Sequence, residues 1–323
     1  MIWLAWRRHR LQTLAAVVGL GCVAAFLVPT GLRMHAAFER SGLPACVPGP
    51  GARGPVAAGG CNQLGEAFAG RFLTTATASL LLLFLPLLAG MLWGAPLVAR
   101  EVEQGTHRLV WTQGVTRLRW AAVETGAVAA GVLAAAAVYA LLVSWWATPL
   151  NRASGYRFTW LFFDQQGVVP VGYALFALAL GVFAGAVTRR VLAAMAVTLG
   201  GFLAARIAVA VLARPRFLPP LRRSFPVVTA AEPDRLLGDW VISRAVYSAQ
   251  GVKLTPGGGS QALCDPGNAA ACLAKYGPGA YNLEIYQPAG RFWLFQGLEA
   301  ALFVLLAVLL LVAAVHWVRR RIA

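Results

Sequence analysis

The chain has 323 residues, of which 59% are hydrophobic and only 12% charged, whereas a soluble domain carries about a quarter charged residues. That balance excludes a soluble globular domain and makes the bilayer the natural solvent. The net charge of +16 does not point to nucleic acid: only Lys253 and Lys275 are lysines, and the arginines cluster at the ends of apolar runs, where they meet lipid headgroups.

An apolar run of about 18 residues or more crosses the hydrocarbon core as a helix, because lipid leaves every backbone polar group to be satisfied within the segment. Six runs qualify: Leu11 to Val28, Phe72 to Trp93, Ala121 to Trp146, Val168 to Val187, Val191 to Leu212 and Phe292 to Trp317. Met1 to Arg10 has the basic look of a signal-peptide flank. The run behind it is longer than a usual signal core, however, and five more spans follow, so it reads as an uncleaved first span. Pro86 predicts a kink in the second span, not its end.

Orientation follows from the short flanks. Arg7, Arg8 and Arg10, the Arg189-Arg190 turn and Arg319 to Arg321 fall on one side of a six-span chain, together with the connection Gly94 to Trp120 and its Arg100, Arg108, Arg117 and Arg119. The positive-inside rule makes that side the cytoplasm. Arg214, Arg216, Arg222 and Arg223 oppose this from the other side but sit in a long segment, where the rule has little force.

The outer segments are then Pro29 to Arg71, Ala147 to Gly167 and Ala213 to Arg291. The last contains Pro256-Gly257-Gly258-Gly259 and reads as a small cap in which Leu236 to Gln250 forms a short helix or strand and the remainder is loop. Cys46 and Cys61 share the first outer segment and Cys264 and Cys272 the last, while Cys22 lies in a span. An even count on an oxidising face predicts two disulfides, 46 with 61 and 264 with 272, although four cysteines allow three pairings. The expected fold is an all-α membrane protein of six transmembrane helices, amino and carboxyl ends inside, forming a single domain over residues 1–323 with a cap at 213–291.

Chemistry is sparse. Neither lysine follows a glycine, which excludes a P-loop. His9, His35, His107 and His316 lack metal-ligand spacing, and no GxSxG elbow occurs. Three charges fall within the spans, Glu124, Arg206 and Glu299, each costing on the order of 3 kcal/mol if left in lipid. Glu124, one turn inside the third span, reaches water or Arg119. Arg206 and Glu299 share a depth, so they are expected to face protein and to pair, either for packing or along a translocation path. Gly181 and Gly185 stand at GxxxG spacing and Ala127 to Ala137 is rich in alanine, which permits close helix approach.

The connection Gly94 to Trp120 reads as two short helical pieces about Gly105-Thr106, either a solvated loop or a dock for a cytoplasmic partner. Glu101, Glu103, Gly105, Thr106, Leu109, Thr112, Val115, Thr116 and Arg117 together resemble the first cytoplasmic loop of type-2 ATP-binding-cassette (ABC) exporter permeases. The number of spans, the near-absent turn after the fourth and the large outer segment before the sixth are similar to that family. Ala99-Arg100-Glu101, Thr106-His107-Arg108-Leu109 with Trp111-Thr112-Gln113, and Tyr286 to Trp293 look like its actinobacterial members.

The resemblance implies a coupling helix in this loop, fitting an ATPase subunit, with Glu101, Glu103, Gly105, Thr106 and Arg108 as the candidate contacts. It further implies ATP and Mg bound in that partner and no cofactor or catalysis in this chain. The completed pathway would contain a second permease copy or a related chain. Ile2-Trp3-Leu4-Ala5-Trp6 and the arginines after it resemble the interfacial helix (residues 1–10) of such permeases, and tryptophan with arginine suits the headgroup layer. A membrane sensor or immunity protein, binding a ligand without transport, stays open as the alternative, and the substrate is not legible.

Overall fold

The computed structural model describes residues 2–46, 58–103, 117–228, 238–255, 264 and 269–321. Six helices in it are long and apolar enough to cross a membrane: Thr13–Arg40, Leu73–Arg100, Thr125–Ser154, Val169–Thr188, Val191–Arg216 and Ala289–Val318. The fold is that of a mostly helical membrane protein, with one addition that hydropathy did not separate from loop.

The first and third helices overrun their expected ends. Ile2–Arg40 is one helix of 39 residues and Arg117–Ser154 one of 38, each about 57 Å long at 1.5 Å per residue, against a hydrocarbon core of roughly 30 Å. Pro29, expected to open the first outer segment, lies inside the first of these helices, and Pro149, within the second expected outer segment, lies inside the other. The two helices pack on one another where Thr30, Gly31 and His35, just past Pro29, meet Trp145 and Trp146, just before Pro149. Trp146 Nε1 donates to Thr30 Oγ1 at 3.0 Å, His35 stacks on Trp145, and a Cβ at Gly31 would come within 2.6 Å of the Trp145 ring. At the other end, the helix runs without a break from Ile2 into the span, since the stretch before Gly19 contains neither glycine nor proline.

The second span is irregular. A 3₁₀ segment, Ser79–Phe84, precedes the short helix Leu85–Ala89 that holds Pro86, and a π-helical turn follows at Gly90–Gly94 before a regular helix, Ala95–Glu103. Its close neighbour is the fourth span, which occupies the centre: 72% of that span's most apolar window is buried, against at most 39% for any other. The contact is made by small residues. A Cβ on Gly90 would overlap the Ala177 carbonyl and one on Gly181 the Gly90 carbonyl; one on Gly185 would lie 2.7 Å from the carbonyl of Ala95. Backbones this close gain dispersion contacts that lipid tails cannot supply.

The cap between the fifth and sixth spans is a three-stranded antiparallel sheet of β1 (Leu221–Pro226), β2 (Trp240–Tyr247) and β3 (Tyr281–Gln287), with β3 in the centre and a helix, Ala269–Tyr276, beside it. Only β2 falls in the stretch expected to be ordered; β1 and β3 correct the expectation of loop. Pro226 ends an edge strand, where its missing donor costs no ladder bond. Arg223 and Arg244 flank Glu284 on the central strand, at 2.7 and 2.6 Å. The sheet is fastened to the bundle where Gln287 Nε2 donates to the Leu218 carbonyl and Arg291 Nη1 to the Pro219 carbonyl, both at 2.8 Å.

Two disulfides join Cys46 to Cys61 and Cys264 to Cys272, with Cα separations of 5.7 and 6.1 Å. The first closes a loop of 15 residues, for which loop-closure entropy assigns about 3 kcal/mol. Cys46→Ser should therefore lower the unfolding temperature in detergent. It should also leave Cys61 open to alkylation by maleimide without prior reduction; equal labelling of the parent chain would refute the bond.

Candidate functional site

Four charges meet at the cap end of the bundle. Asp164, in the short segment before the fourth span, accepts from Arg206 Nη2 at 2.8 Å and from Arg214 Nη2 on its other oxygen. Arg214 reaches across to Glu299 on the sixth span, Nε to Oε2 at 2.7 Å and Nη2 to Oε1 at 2.8 Å. Tyr173, one turn into the fourth span, donates its hydroxyl to Glu299 Oε1. Two carboxylates and two guanidinium groups make the cluster formally neutral. It is enclosed, since Asp164, Arg214 and Glu299 expose 5%, 3% and 0% of their surface.

The expected pairing of Arg206 with Glu299 is corrected. Each faces protein, but Arg206 pairs with Asp164 and Glu299 with Arg214. By hydropathy Asp164 and Arg214 fall in the outer segments Ala147 to Gly167 and Ala213 to Arg291. Both are drawn inward by folding. Residues 156–168 form a wedge of one 3₁₀ turn, Tyr156–Phe158, and one short helix, Trp160–Phe163, with Phe158, Phe162, Phe163, Asp164, Gln165 and Gln166 all buried.

Gln296 of the sixth span holds that wedge. Its Oε1 accepts from the Val168 and Val169 N–H groups at 3.1 and 3.0 Å, two donors that the fourth helix leaves open at its start, and its Nε2 donates to the Phe163 carbonyl at 2.8 Å. The Arg214 guanidinium lies 4.2 Å from the Phe163 ring centroid. A signal for the wedge was present in the aromatic run Tyr156 to Phe163, too apolar for a solvated loop. Outside the spans, burial lowers the pKa of Arg157. In the cap, burial opposes the charge on Arg223, but the hydrogen bond and charge of Glu284, with Asp239, outweigh it and raise its pKa.

At the opposite end, the helix Ala95–Glu103 continues the second span, and Glu103 Oε2 accepts from the Val191 N–H at 3.3 Å, at the first residue of the fifth helix. A carboxylate there satisfies an open donor and meets the positive end of the helix dipole. The Arg189-Arg190 turn makes the reversal between fourth and fifth spans possible, with Arg189 in the left-handed conformation at φ 57°. Glu101 lies in the same helix as Glu103, and its side chain is outside the described residues, as is that of Glu124 in the third helix. Gly105, Thr106 and Arg108 fall wholly outside them.

No curated protein and no solved structure matches the chain significantly. A family model described as ABC-2 membrane transporter related matches residues 17–214, from within the first span to the arginine at the centre of the buried cluster. That is more than half of the chain, and the match runs through five of the six spans and the Glu103 contact. This multi-pass membrane protein therefore belongs to the ABC-2 membrane transporter-related family and is a membrane permease subunit of an ABC transporter.

Proposed function

We propose that the chain exports its substrate, driven by separate ABC ATPase subunits that dock on the cytoplasmic segment 94–120 and hold the ATP and Mg. A second copy, or a related permease, completes the pathway. The observation that carries this reading is the Glu103 carboxylate on the Val191 N–H. A push delivered at segment 94–120 reaches the fifth span through that bond and the fourth span through the contact of Ala95 and Ala99 with Gly185. Both receiving spans lead to the buried charges at the cap end.

In this reading the charge cluster is the outer closure. Replacing a buried ion network by apolar side chains of similar volume is often neutral or stabilising, so stability alone gives no reason for four charges. Ion pairs can separate into water when the spans part, which an apolar plug does at greater cost.

The test is capture of an ATPase. Co-expressed with candidate ABC ATPases, the tagged chain should retain one through purification. Glu101→Lys should release it, while Glu103→Gln, which keeps an acceptor for Val191, should leave the fold intact and weaken capture. If no ATPase is retained, or if Glu101→Lys leaves the complex whole, segment 94–120 is not the dock.

A further inference from the structure

We infer that a cavity between the first, second and third spans holds a single hydrocarbon chain entering sideways from the bilayer. It encloses about 180 Å³ and is lined by Ala15 and Gly19 of the first span, Leu88 and Trp93 of the second, and Ala135 and Tyr139 of the third, among others. None of its lining residues belongs to the charge cluster or to the Glu103 contact.

Three observations define the occupant. The walls are largely apolar: the polar side-chain groups among the lining residues are the Tyr139 hydroxyl, which donates to the Leu82 carbonyl at 3.1 Å, and the Trp93 indole N–H. Water needs two to four polar partners to occupy a cavity, and an apolar cavity of about 150 Å³ stays dry yet takes a benzene-sized guest. The site is thus fit for hydrocarbon and unfit for water. Second, the rim and the floor differ. Ala15, Gly19, Leu88 and Leu92 are exposed, while Pro86, Ala89, Val132, Ala136 and Ala174 are buried, so the cavity opens laterally toward lipid.

Third, the lining falls within the membrane-crossing stretches Thr13–Arg40, Leu73–Arg100 and Thr125–Ser154, with Ala174 of Val169–Thr188 at the floor, where the surrounding medium is acyl chain. Small residues leave the space: a Cβ at Gly19 would meet nothing within 4 Å. The volume suits one chain segment and is below the roughly 300 Å³ at which drug-sized sites begin. The same chemistry is carried by a bilayer phospholipid and by a free single-chain amphiphile.

The experiment uses the full chain in vesicles and two probes, a phosphatidylglycerol with a diazirine in one acyl chain, built into the bilayer, and a diazirine fatty acid added from water. After photolysis, peptides containing Ala15 to Val23 and Leu85 to Trp93 should be labelled above those of the lipid-facing part of the fifth span around Leu192. Labelling by the first probe assigns the chain to a bilayer lipid and by the second to a free amphiphile. Gly19→Leu fills the cavity from the first span and Ala135→Leu from the third; each should reduce the excess labelling to the level of the fifth span. Labelling no higher than the fifth span with both probes overturns the inference, as does excess labelling that survives both substitutions. A cross-link from the cavity to a second copy of the chain does so too.

Discussion

Arg214→Gln should be the most damaging single change in the molecule. The substitution leaves Asp164 and Glu299 buried with only Arg206 to balance them, and Arg206 touches Asp164, not Glu299. Removing one partner of a buried pair costs about 3–5 kcal/mol, because the remaining charge is stranded. We expect a large fall in unfolding temperature in lipid nanodiscs, or loss of the folded protein. Arg214→Gln combined with Glu299→Gln restores neutrality and keeps hydrogen-bonding groups on Tyr173 and Asp164. That double variant should recover much of the lost stability, which separates electrostatic imbalance from lost packing. Equal damage in the single and double variants would show that the guanidinium acts by filling space against Phe163 and not by its charge.

The six crossings were legible because they follow from transfer free energy, a property summed along the chain. Cluster partners were not legible for the same reason. Hydropathy counts Asp164 and Arg214 as loop residues, and only the tertiary wedge at residues 156–168 makes them interior. The expected ends of the first and third spans fall short in a related way: Pro29 and Pro149 each remove one backbone donor, but a helix supported by a packed neighbour survives the loss. Of the paired cysteines, Cys46 and Cys61 share one segment, so proximity in sequence and in space agree. The strands of the cap were hidden because β1 and β3 lie 60 residues apart, counting from Leu221 to Tyr281, and each is short and arginine- or tyrosine-bearing without a hairpin turn to announce it. The small-residue spacing at Gly181 and Gly185 was readable, but not its partner, because a GxxxG face states that something approaches closely and not what.

That partner determines the second large effect. Gly181→Ala should disrupt the centre of the bundle although it adds one methyl group. The new Cβ would overlap the Gly90 carbonyl and sit 2.7 Å from the Ala95 nitrogen and 2.9 Å from the Gly94 carbonyl carbon, all backbone atoms that no rotamer change can move. Relief requires the second and fourth spans to separate along their whole crossing, which also withdraws Ala95 and Ala99 from Gly185. Overpacking of this kind costs about 1–3 kcal/mol where side chains can yield, and here they cannot. Gly131→Ala in the third span is the control. Its Cβ meets nothing within 4 Å, and alanine is favoured over glycine in a helix by up to about 1 kcal/mol, so that variant should match or exceed the parent. Thermal unfolding of the three proteins side by side measures the difference, and coincident transitions for Gly181→Ala and Gly131→Ala would remove the crossing from the account. On the proposed docking of an ATPase at segment 94–120, a Gly181→Ala chain that retains a folded core should still capture the ATPase while failing to transmit nucleotide closure, because the helix that carries Glu103 would no longer move with the fourth span.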